Sequence, residues 1–371
     1  MKFIHLSDTH LGFSDYHKID PSTGINQREQ DFYNAWFHVI DRVLELSPDF
    51  VVHAGDLFHT TRPTNRAIAV AMEGIQRVSE RGIPFILISG NHSTPKIRAT
   101  GSIFEAISLF PQVHAAFSGM YECFKIGDCE IHCIPHCSLS ETLKTEFEKI
   151  KADPALKYHV LVTHGSWAGQ KTYSMGEFNE QLLPDLDKML DIRFDYIALG
   201  HYHRHLEISP TIVYSGSTEK TSFNETGNIN GFVLVDLAAT TTTFIATPAR
   251  PMVKLGPIDC RSLNANLIYA AMEKMSTPDL DQALVSLTLS NVSHETLIKL
   301  DSRHIEGLFP QVFYLTTQMT QVDASGERPG FSATLGTLPV EFERYIDSIE
   351  TGELDKERLK KLGLGYLTEE D

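Results

Sequence analysis

Short apolar runs that alternate with amphipathic stretches are the feature that most constrains the fold of this chain. The runs are rich in β-branched and aromatic residues and lie at residues 2–6, 50–53, 85–88, 159–163 and 196–199. Between the first three runs, residues 32–46 and 66–81 place apolar side chains at helical spacing. This alternation of strands and helices predicts a layered α/β domain over the first two thirds of the chain.

A polar, ligand-type side chain follows each of these predicted strands. The stretches are Asp8-Thr9-His10, Gly55-Asp56, Gly90-Asn91-His92, His164-Gly165 and Gly200-His201-Tyr202-His203. A single Asp or His after a strand is more often a helix cap than a ligand. Strand ends of one sheet converge, however, so the whole set predicts one cleft that holds carboxylates, an amide and imidazoles. Such ligands suit manganese, iron or zinc, and a carboxylate such as Asp56 can bridge two ions.

The order of these stretches resembles the signature of calcineurin-like metallophosphoesterases. The motifs stand here as "SDTH", "AGD", "SGNH", "THG" and "LGHYH", and the match runs from residue 1 to about residue 236. Within that superfamily, "HLSDTHLG", "GDLFHTTRP" and "YSGSTEKTSFNE" are most similar to the SbcD/Mre-eleven family of DNA double-strand-break repair nucleases. The resemblance implies a layered β-sandwich flanked by helices, with a small α/β capping domain after it.

The resemblance also implies two metal ions per chain, with manganese preferred and other divalent ions possible. In the family's pattern one ion is held by Asp8, His10 and His203, the other by Asn91, His164 and His201, and Asp56 bridges them. A water between the ions would attack the phosphodiester while both ions stabilise the charge of the transition state. This pair of ions is the expected cofactor.

Three further residues have expected roles beside the metal ligands. The resemblance makes His92 the proton donor to the leaving oxygen, because a general acid needs a nitrogen that is not bound to metal. His59, in "GDLFH", resembles a second histidine that the family places near the phosphate. Related nucleases usually have aspartate where Ser93 stands. Serine can form a hydrogen bond but lacks that charge, so we expect an effect on rate without loss of a ligand.

The function implied is a manganese-dependent DNA nuclease, acting as a 3′–5′ double-strand exonuclease and a single-strand endonuclease in double-strand-break repair. Its expected partner is a coiled-coil ATPase of the SbcC type. Two alternatives stay open: a phosphodiesterase for small molecules or nucleotides, and a catalytically weak scaffold for the ATPase. The net charge of −16 suits a small substrate better than a duplex. Charge does not exclude DNA, however, because bound cations reverse the local sign.

Candidate DNA contacts and self-association rest on weaker signals. Five basic residues near the motifs could meet phosphates, although a solvated surface is the usual place for each of them: Arg62, Arg66, Lys96, Arg98 and Arg204. The helical segments 66–78 and 101–109 have apolar faces, and in the resembling family this region forms a dimer contact. A homodimer is therefore expected, with core packing as the alternative.

Composition shifts predict three parts of the chain: a nuclease domain at 1–250, a capping and DNA-binding domain at 251–335, and a helical tail at 336–371. In the second part we expect helices at 263–275 and 294–303 and strands at 283–289 and 312–319. In the tail, Phe342, Tyr345 and Ile349 share one helical face and could dock the ATPase or pack on the cap.

The cysteines and the N-terminus predict the compartment. Five cysteines without a leader-like N-terminus predict free thiols. Cys129, Cys133 and Cys137 alternate with His132 and His136, but this spacing differs from a zinc knuckle and favours a buried strand over 129–135. No apolar stretch approaches the roughly 20 residues that span a bilayer. A cytoplasmic, nucleoid-associated protein is therefore expected.

Overall fold

The computed structural model describes residues 1–94, 101–167, 181–185, 192–322, 342, 346 and 355–368. The chain divides into two compact units. The first comprises Met1–Leu255, Thr277–Ser286 and Pro310–Thr316, and the second comprises Gly256–Ser276, Leu287–Phe309 and Thr317–Asp371. The domain limits expected from composition stay predictions. Across the described ranges, no helix has both the length and the apolar character to cross a membrane.

The strands and helices follow one another in an α/β order. The strands are β1 (Lys2–Leu6), β2 (Phe50–His53), β3 (Phe85–Ile88), β4 (Val113–Ala116), β5 (Glu122–Ile126), β6 (Cys129–Ile134), β7 (Tyr158–His164), β8 (Tyr196–Gly200), β9 (Leu206–Ser209), β10 (Ile212–Tyr214), β11 (Gly231–Asp236), β12 (Thr241–Ala246), β13 (Met252–Asp259), β14 (Leu284–Ser293) and β15 (Tyr314–Val322). The helices are α1 (Gln27–Leu46), α2 (Asn65–Ser79), α3 (Phe104–Ile107), α4 (Ser140–Phe147), α5 (Ala265–Met275), α6 (His294–Lys299), α7 (Ser302–Gly307) and α8 (Lys356–Thr368).

Two six-stranded sheets form the first unit. The first sheet has the order β12-β11-β1-β2-β3-β4, in which β1 to β4 are parallel and β11 and β12 are antiparallel. The second has the order β5-β6-β7-β8-β10-β9, in which β6, β7, β8 and β10 are parallel. A third sheet has the order β13-β14-β15, and the boundary between the two units falls within each of its strands. The parallel strands bring their carboxyl ends to one edge of each large sheet.

The core between the two large sheets follows from strand alternation, since successive side chains point to opposite faces. Phe3, Val52 and Ile86 of the first sheet share one buried cluster with Ile131 and Val160 of the second. This face-to-face packing fixes the two sheets against each other. The strand ends of both sheets therefore reach the same region.

Helices cover the outer faces of both sheets. On the first sheet, Ile4 packs in one cluster with Trp36 of α1 and Ile75 of α2. On the second sheet, Leu161 packs with Phe147 of α4. The layers run helix, sheet, sheet, helix, which confirms the predicted mixed α/β sandwich flanked by helices.

Several predicted elements differ in length from those observed. Helix α1 starts five residues before the predicted 32, because the Asn26 side chain accepts hydrogen bonds from the first backbone N–H groups and caps the helix. The predicted helix 294–303 is divided into α6 and α7, since Asp301 caps the second helix through the N–H of Arg303. The predicted helical segment 101–109 is reduced to the single turn of α3.

The tail is described only in part. Helix α8 lies within the predicted helical stretch, and Phe342 and Ile346 have helical backbone. Tyr345 and Ile349, which were expected on the docking face, lie outside the described residues. The partner-binding role of the tail stays a prediction.

Candidate metal centre

The ends of β1 and β8 supply the first cluster of ligand-type side chains. One ligand atom from each of Asp8, His10 and His203 lies within 4.8 Å of the others. The Nε2 atoms of His10 and His203 are 2.9 Å apart. The Asp8 carboxylate accepts the backbone N–H of His201 at 3.0 Å and the hydroxyl of Ser7 at 2.5 Å. These contacts hold three donor groups around one point.

The ends of β2, β3 and β7 supply the second cluster. Asp8, Asp56 and His164 also have ligand atoms within 4.8 Å of one another. The Nε2 atom of His164 lies 2.9 Å from the amide oxygen of Asn91 and 3.4 Å from a carboxylate oxygen of Asp56. The His201 ring packs edge-on against His164, with 5.4 Å between ring centroids. The seven predicted ligands therefore lie in one place, and Asp8 is the residue that the two clusters share.

The backbone is bent at the ligand positions. Four non-glycine ligands have left-handed φ values: Asp8 at 52°, His10 at 43°, Asp56 at 54° and His201 at 107°. Such conformations cost on the order of 1–3 kcal/mol each and cluster at functional sites. The Asp8 and His10 N–H groups donate to the carbonyl oxygens of Gly55 and Asp56, which ties the loop after β1 to the loop after β2. The surrounding structure thus fixes the bends that aim the side chains.

Gly90 and Gly55 are required by close packing inside the site. A Cβ atom on Gly90 would lie 2.3 Å from an Asp56 carboxylate oxygen, and one on Gly55 would lie 2.3 Å from Nδ1 of His164. The φ of Gly90 is outside the left-handed range. Gly90 therefore makes room for the Asp56 carboxylate.

Hydrogen bonds outside the clusters set which nitrogen of each histidine faces the metal positions. Nδ1 of His164 lies 2.9 Å from the carbonyl oxygen of Ala54, and Nδ1 of His203 lies 2.9 Å from a carboxylate oxygen of Glu225. An acceptor at Nδ1 leaves Nε2 as the ligand atom and increases its basicity. Thr221 donates its hydroxyl to the same Glu225 carboxylate. Glu225, in "SFNE", was missed in the sequence because a glutamate 22 residues after a ligand carries no local signal.

Nearby carboxylates raise the pKa of two of the predicted ligand histidines. Burial alone would lower the pKa of His203, but the charges of Glu225 and Asp8 raise it to about 9. Burial would likewise lower the pKa of His164, but Asp56 raises it to about 8. Burial holds the pKa of His201 at about 3. The carboxylates draw protons to the nitrogens where a divalent cation would compete with those protons.

Two more imidazoles lie beside the first cluster. His92 and His59 are stacked with 5.2 Å between centroids, and the His92 ring is 4.9 Å from that of His10. Nδ1 of His92 lies 2.8 Å from the carbonyl oxygen of His59, and the His92 backbone N–H donates to Asp56 at 2.9 Å. Burial, followed by the nearby His92, lowers the pKa of His59 to about 4. Both predicted histidines are therefore beside the ligands.

Ser93 occupies the interior beneath this loop. Its side chain is buried, and its hydroxyl reaches the carbonyl oxygen of Phe58 at 3.5 Å. The backbone N–H of Ser93 donates to the carbonyl of Gly90. The recorded contacts of Ser93 thus support the loop backbone, while the effect of serine in place of aspartate on rate stays a prediction.

The predicted DNA contacts fall into two groups. Arg62, Arg66 and Arg204 are exposed, and Arg204 directly follows the ligand His203. Arg66 lies 3.6 Å from a carboxylate oxygen of Glu29. Lys96 and Arg98 lie outside the described residues. Three of the five predicted DNA contacts therefore have exposed guanidinium groups.

Comparison with known proteins defines the class. The family model for calcineurin-like phosphoesterases matches residues 1–205, which is more than half of the 371 residues. The chain belongs to this family and is, by that membership, a metallophosphoesterase hydrolase. The aspartate and histidine clusters imply divalent metal ions, and the donor set described above fits them.

Similar curated proteins narrow the comparison. The chain is 32% identical over 251 residues to the DNA double-strand break repair protein Mre11 of Methanococcus maripaludis, covering 64% of this chain and 63% of that protein. It is 34% identical over 239 residues to the protein of the same name from Thermoplasma acidophilum, covering 62% and 58%. It is 28% identical over 249 residues to the protein of the same name from Methanocaldococcus jannaschii, covering 64% of this chain and 63% of that protein. The chain thus matches less than two thirds of each relative's length.

A change at Glu225 tests how the site is supported. Glu225→Gln is expected to weaken manganese binding about 10- to 100-fold, because His203 loses the charged acceptor that orients its ring. Calorimetric titration with Mn²⁺ measures this without relying on activity. Glu207→Gln is the matched control, since Glu207 is an exposed carboxylate 3.9 Å from His205 outside the site. Equal affinity in the unaltered chain and Glu225→Gln would contradict the assignment.

Proposed function

We propose that this chain is a manganese-dependent DNA nuclease of double-strand-break repair, a 3′–5′ exonuclease on duplex ends and an endonuclease on single strands. The observation that carries the proposal is the pair of His59 and His92 beside the ligand clusters. The ring centroids of His92 and His10 are 4.9 Å apart. A positioned proton donor speeds the departure of a poor leaving group such as the sugar oxygen of DNA. The similarity to archaeal proteins named for double-strand-break repair supports DNA as the substrate.

The chain's own residues have separate tasks in this proposal. Asp8, His10 and His203 would hold one ion, Asn91, His164 and His201 would hold the other, and Asp56 would contact both. When bound, the two ions supply an activated water and neutralise the charge on the phosphoryl group. Glu225 and the Ala54 carbonyl keep the ligand imidazoles in place. The bent loops fix all these groups before substrate arrives, which lowers the cost of reorganisation.

His92 acts on the leaving group. Donation from its Nδ1–H to the His59 carbonyl orients the ring, so Nε2 is the atom that carries the transferred proton. His59 stacks on the same ring and contacts the phosphate. The low pKa of His59, caused first by burial, makes it a neutral hydrogen-bond partner.

The remaining proposals concern partners. Arg62, Arg66 and Arg204 contact the DNA backbone, for which exposed guanidinium groups are suited. The chain forms a homodimer and works with a coiled-coil ATPase of the SbcC type, which docks to the helical tail. Residues 251–335 form a capping and DNA-binding domain. A cytoplasmic, nucleoid-associated location belongs to the same proposal.

The proposal is tested by substrate choice. The full chain is incubated with Mn²⁺ and end-labelled duplex DNA, circular single-stranded DNA, or bis-p-nitrophenyl phosphate. We expect nucleotides released from the 3′ ends of the duplex, nicking of the circle and slower hydrolysis of the small ester. Mg²⁺ alone should support less cleavage.

Two other outcomes would overturn the proposal in different ways. Hydrolysis of the small ester with intact DNA would favour a phosphodiesterase for small molecules or nucleotides, which the net charge of −16 would suit. Two bound ions with no hydrolysis of any ester would favour a scaffold for the ATPase. Elemental analysis of the same sample distinguishes this last outcome from loss of metal.

A further inference from the structure

A second group of metal-ligating side chains lies in the first unit, on β5, β6 and β7. Cys123, Glu130 and His132 each bring a ligand atom within 4.8 Å of the other two. Cys123 pairs with His132 across β5 and β6, and Glu130 pairs with His159 across β6 and β7. None of these four residues belongs to the strand-end motifs. We call Cys123, Glu130, His132 and His159 the edge cluster.

The distances in the edge cluster match a tetrahedral ion. Oε1 of Glu130 lies 3.4 Å from Sγ of Cys123, while Oε2 lies 3.5 Å from Nε2 of His132 and 3.3 Å from Nδ1 of His159. Zinc binds sulfur at about 2.3 Å and nitrogen or oxygen at about 2.0 Å, so tetrahedral donors lie about 3.3–3.5 Å apart. One cation could therefore contact Cys123, Glu130 and His132 with little movement, whereas His159 is placed by its contact with Glu130.

Two buried nitrogen atoms of the edge cluster have no hydrogen-bond partner among the described residues. The His132 side chain is fully buried, and its Nε2 has no hydrogen-bond partner among the described residues. Nδ1 of His159 likewise has no hydrogen-bond partner among the described residues. The Tyr121 hydroxyl contacts Nδ1 of His132 at 2.9 Å, which fixes the ring with Nε2 towards Glu130. Buried polar groups are nearly always paired, so two such nitrogens beside one carboxylate favour a cation that all three would bind.

The surrounding charges permit such a cation. Lys125 lies 4.0 Å from Glu130, but it is more than half exposed and pairs with Asp153 at 2.7 Å. The N–H of Asp153 donates to Oε2 of Glu130 and steadies the carboxylate. Burial lowers the pKa of His132 to about 4, so its ring is neutral and able to bind metal. Burial raises the pKa of the Cys123 thiol to about 11, so the ion must displace a proton to solvent as it binds.

We propose that Cys123, Glu130, His132 and His159 bind one zinc-type divalent cation that links β5, β6 and β7. The thiolate selects zinc over the harder manganese and magnesium ions. Four protein ligands leave no open position, so the role is structural. The site is independent of the proposed nuclease function, since it shares no residue with the metal centre.

Cobalt distinguishes the two sites spectroscopically. Co²⁺ bound to a thiolate gives a charge-transfer absorbance in the near ultraviolet, and the described residues of the metal centre include no cysteine. Titration of the reduced full chain should show this band saturating at one equivalent. Cys123→Ser should abolish it, and His132→Ala should weaken Co²⁺ binding at least tenfold. The control Cys137→Ser should retain the absorbance band, because the Cys137 thiol donates to the Gly119 carbonyl oxygen and is not part of the edge cluster.

A protection experiment needs no variant. Cys123 is the partly exposed cysteine, whereas Cys129, Cys133, Cys137 and Cys260 are buried. Iodoacetamide should therefore alkylate Cys123 first, and one equivalent of Zn²⁺ should slow this at least tenfold while Mn²⁺ should not. Absence of a charge-transfer band, its persistence in Cys123→Ser, or saturation only in large cobalt excess would overturn the proposal. A rate of Cys123 alkylation that Zn²⁺ does not change would also overturn the proposal.

Discussion

Asp56→Asn is expected to reduce phosphodiester hydrolysis by about 1,000-fold or more. The substitution removes a buried carboxylate charge that the proposed function places against both ions. Losing about 4 kcal/mol of transition-state stabilisation corresponds to that factor. Asparagine is the right replacement because Asp56 has a φ of 54°, which asparagine tolerates better than other side chains with a Cβ. The amide can still accept the His92 N–H, which keeps the loop in place.

The measurement is kcat/KM on bis-p-nitrophenyl phosphate with Mn²⁺, together with bound metal and the thermal unfolding midpoint. Asp41→Asn is the control, since Asp41 is an exposed carboxylate that pairs with Arg77 on the surface. It should leave all three values unchanged. Hydrolysis within tenfold of the unaltered chain, with two ions still bound, would show that Asp56 is not the bridging ligand.

His92→Ala is expected to leave metal binding intact and to reduce DNA cleavage by about 100- to 10,000-fold, the usual contribution of a positioned proton donor. The loss should depend on the leaving group. The sugar oxygen of DNA needs a proton to depart, whereas nitrophenolate leaves readily without one. Hydrolysis of the nitrophenyl ester should therefore fall much less than cleavage of DNA by the same variant.

This difference between substrates separates proton donation from a loss of structure. A disordered site would lower both rates together and would also lose metal. His38→Ala, at a half-exposed position on α1, serves as the control and should change neither rate. Equal losses for the two substrates, with metal retained, would rule out His92 as the proton donor.

The fold could be predicted where each strand is short, apolar and followed by a polar motif. Strands β1, β2 and β3 have the predicted ends, because nearly all of their residues are buried on both faces and most of them are apolar. Strands such as β5 were missed, since its residues are mostly half-buried and mix charged with apolar side chains. The predicted helix limits were wrong where one capping side chain sets the start of the helix, as Asn26 does for α1 and Asp301 does for α7.

The candidate site was more predictable than the fold around it. The seven predicted ligands could be recognised in the sequence because each is a ligand-type side chain at the end of a predicted strand. The structure brings these seven side chains together. Supporting residues such as Glu225 carry no such pattern, because a hydrogen-bond partner can come from any loop that passes nearby. The edge cluster was hidden for the same reason: Cys123 and Glu130 become neighbours only through the pairing of β5 with β6.

The separation of the ligands along the chain has a consequence for synthesis. His10 and His203 meet across 193 residues, as do Asp8 and His201. Contacts of such long range form late, because the loop between them must close before they stabilise anything. The metal centre is therefore completed only after both sheets have emerged from the ribosome and docked. A nascent or truncated chain that ends before His203 therefore lacks part of the set of predicted ligands.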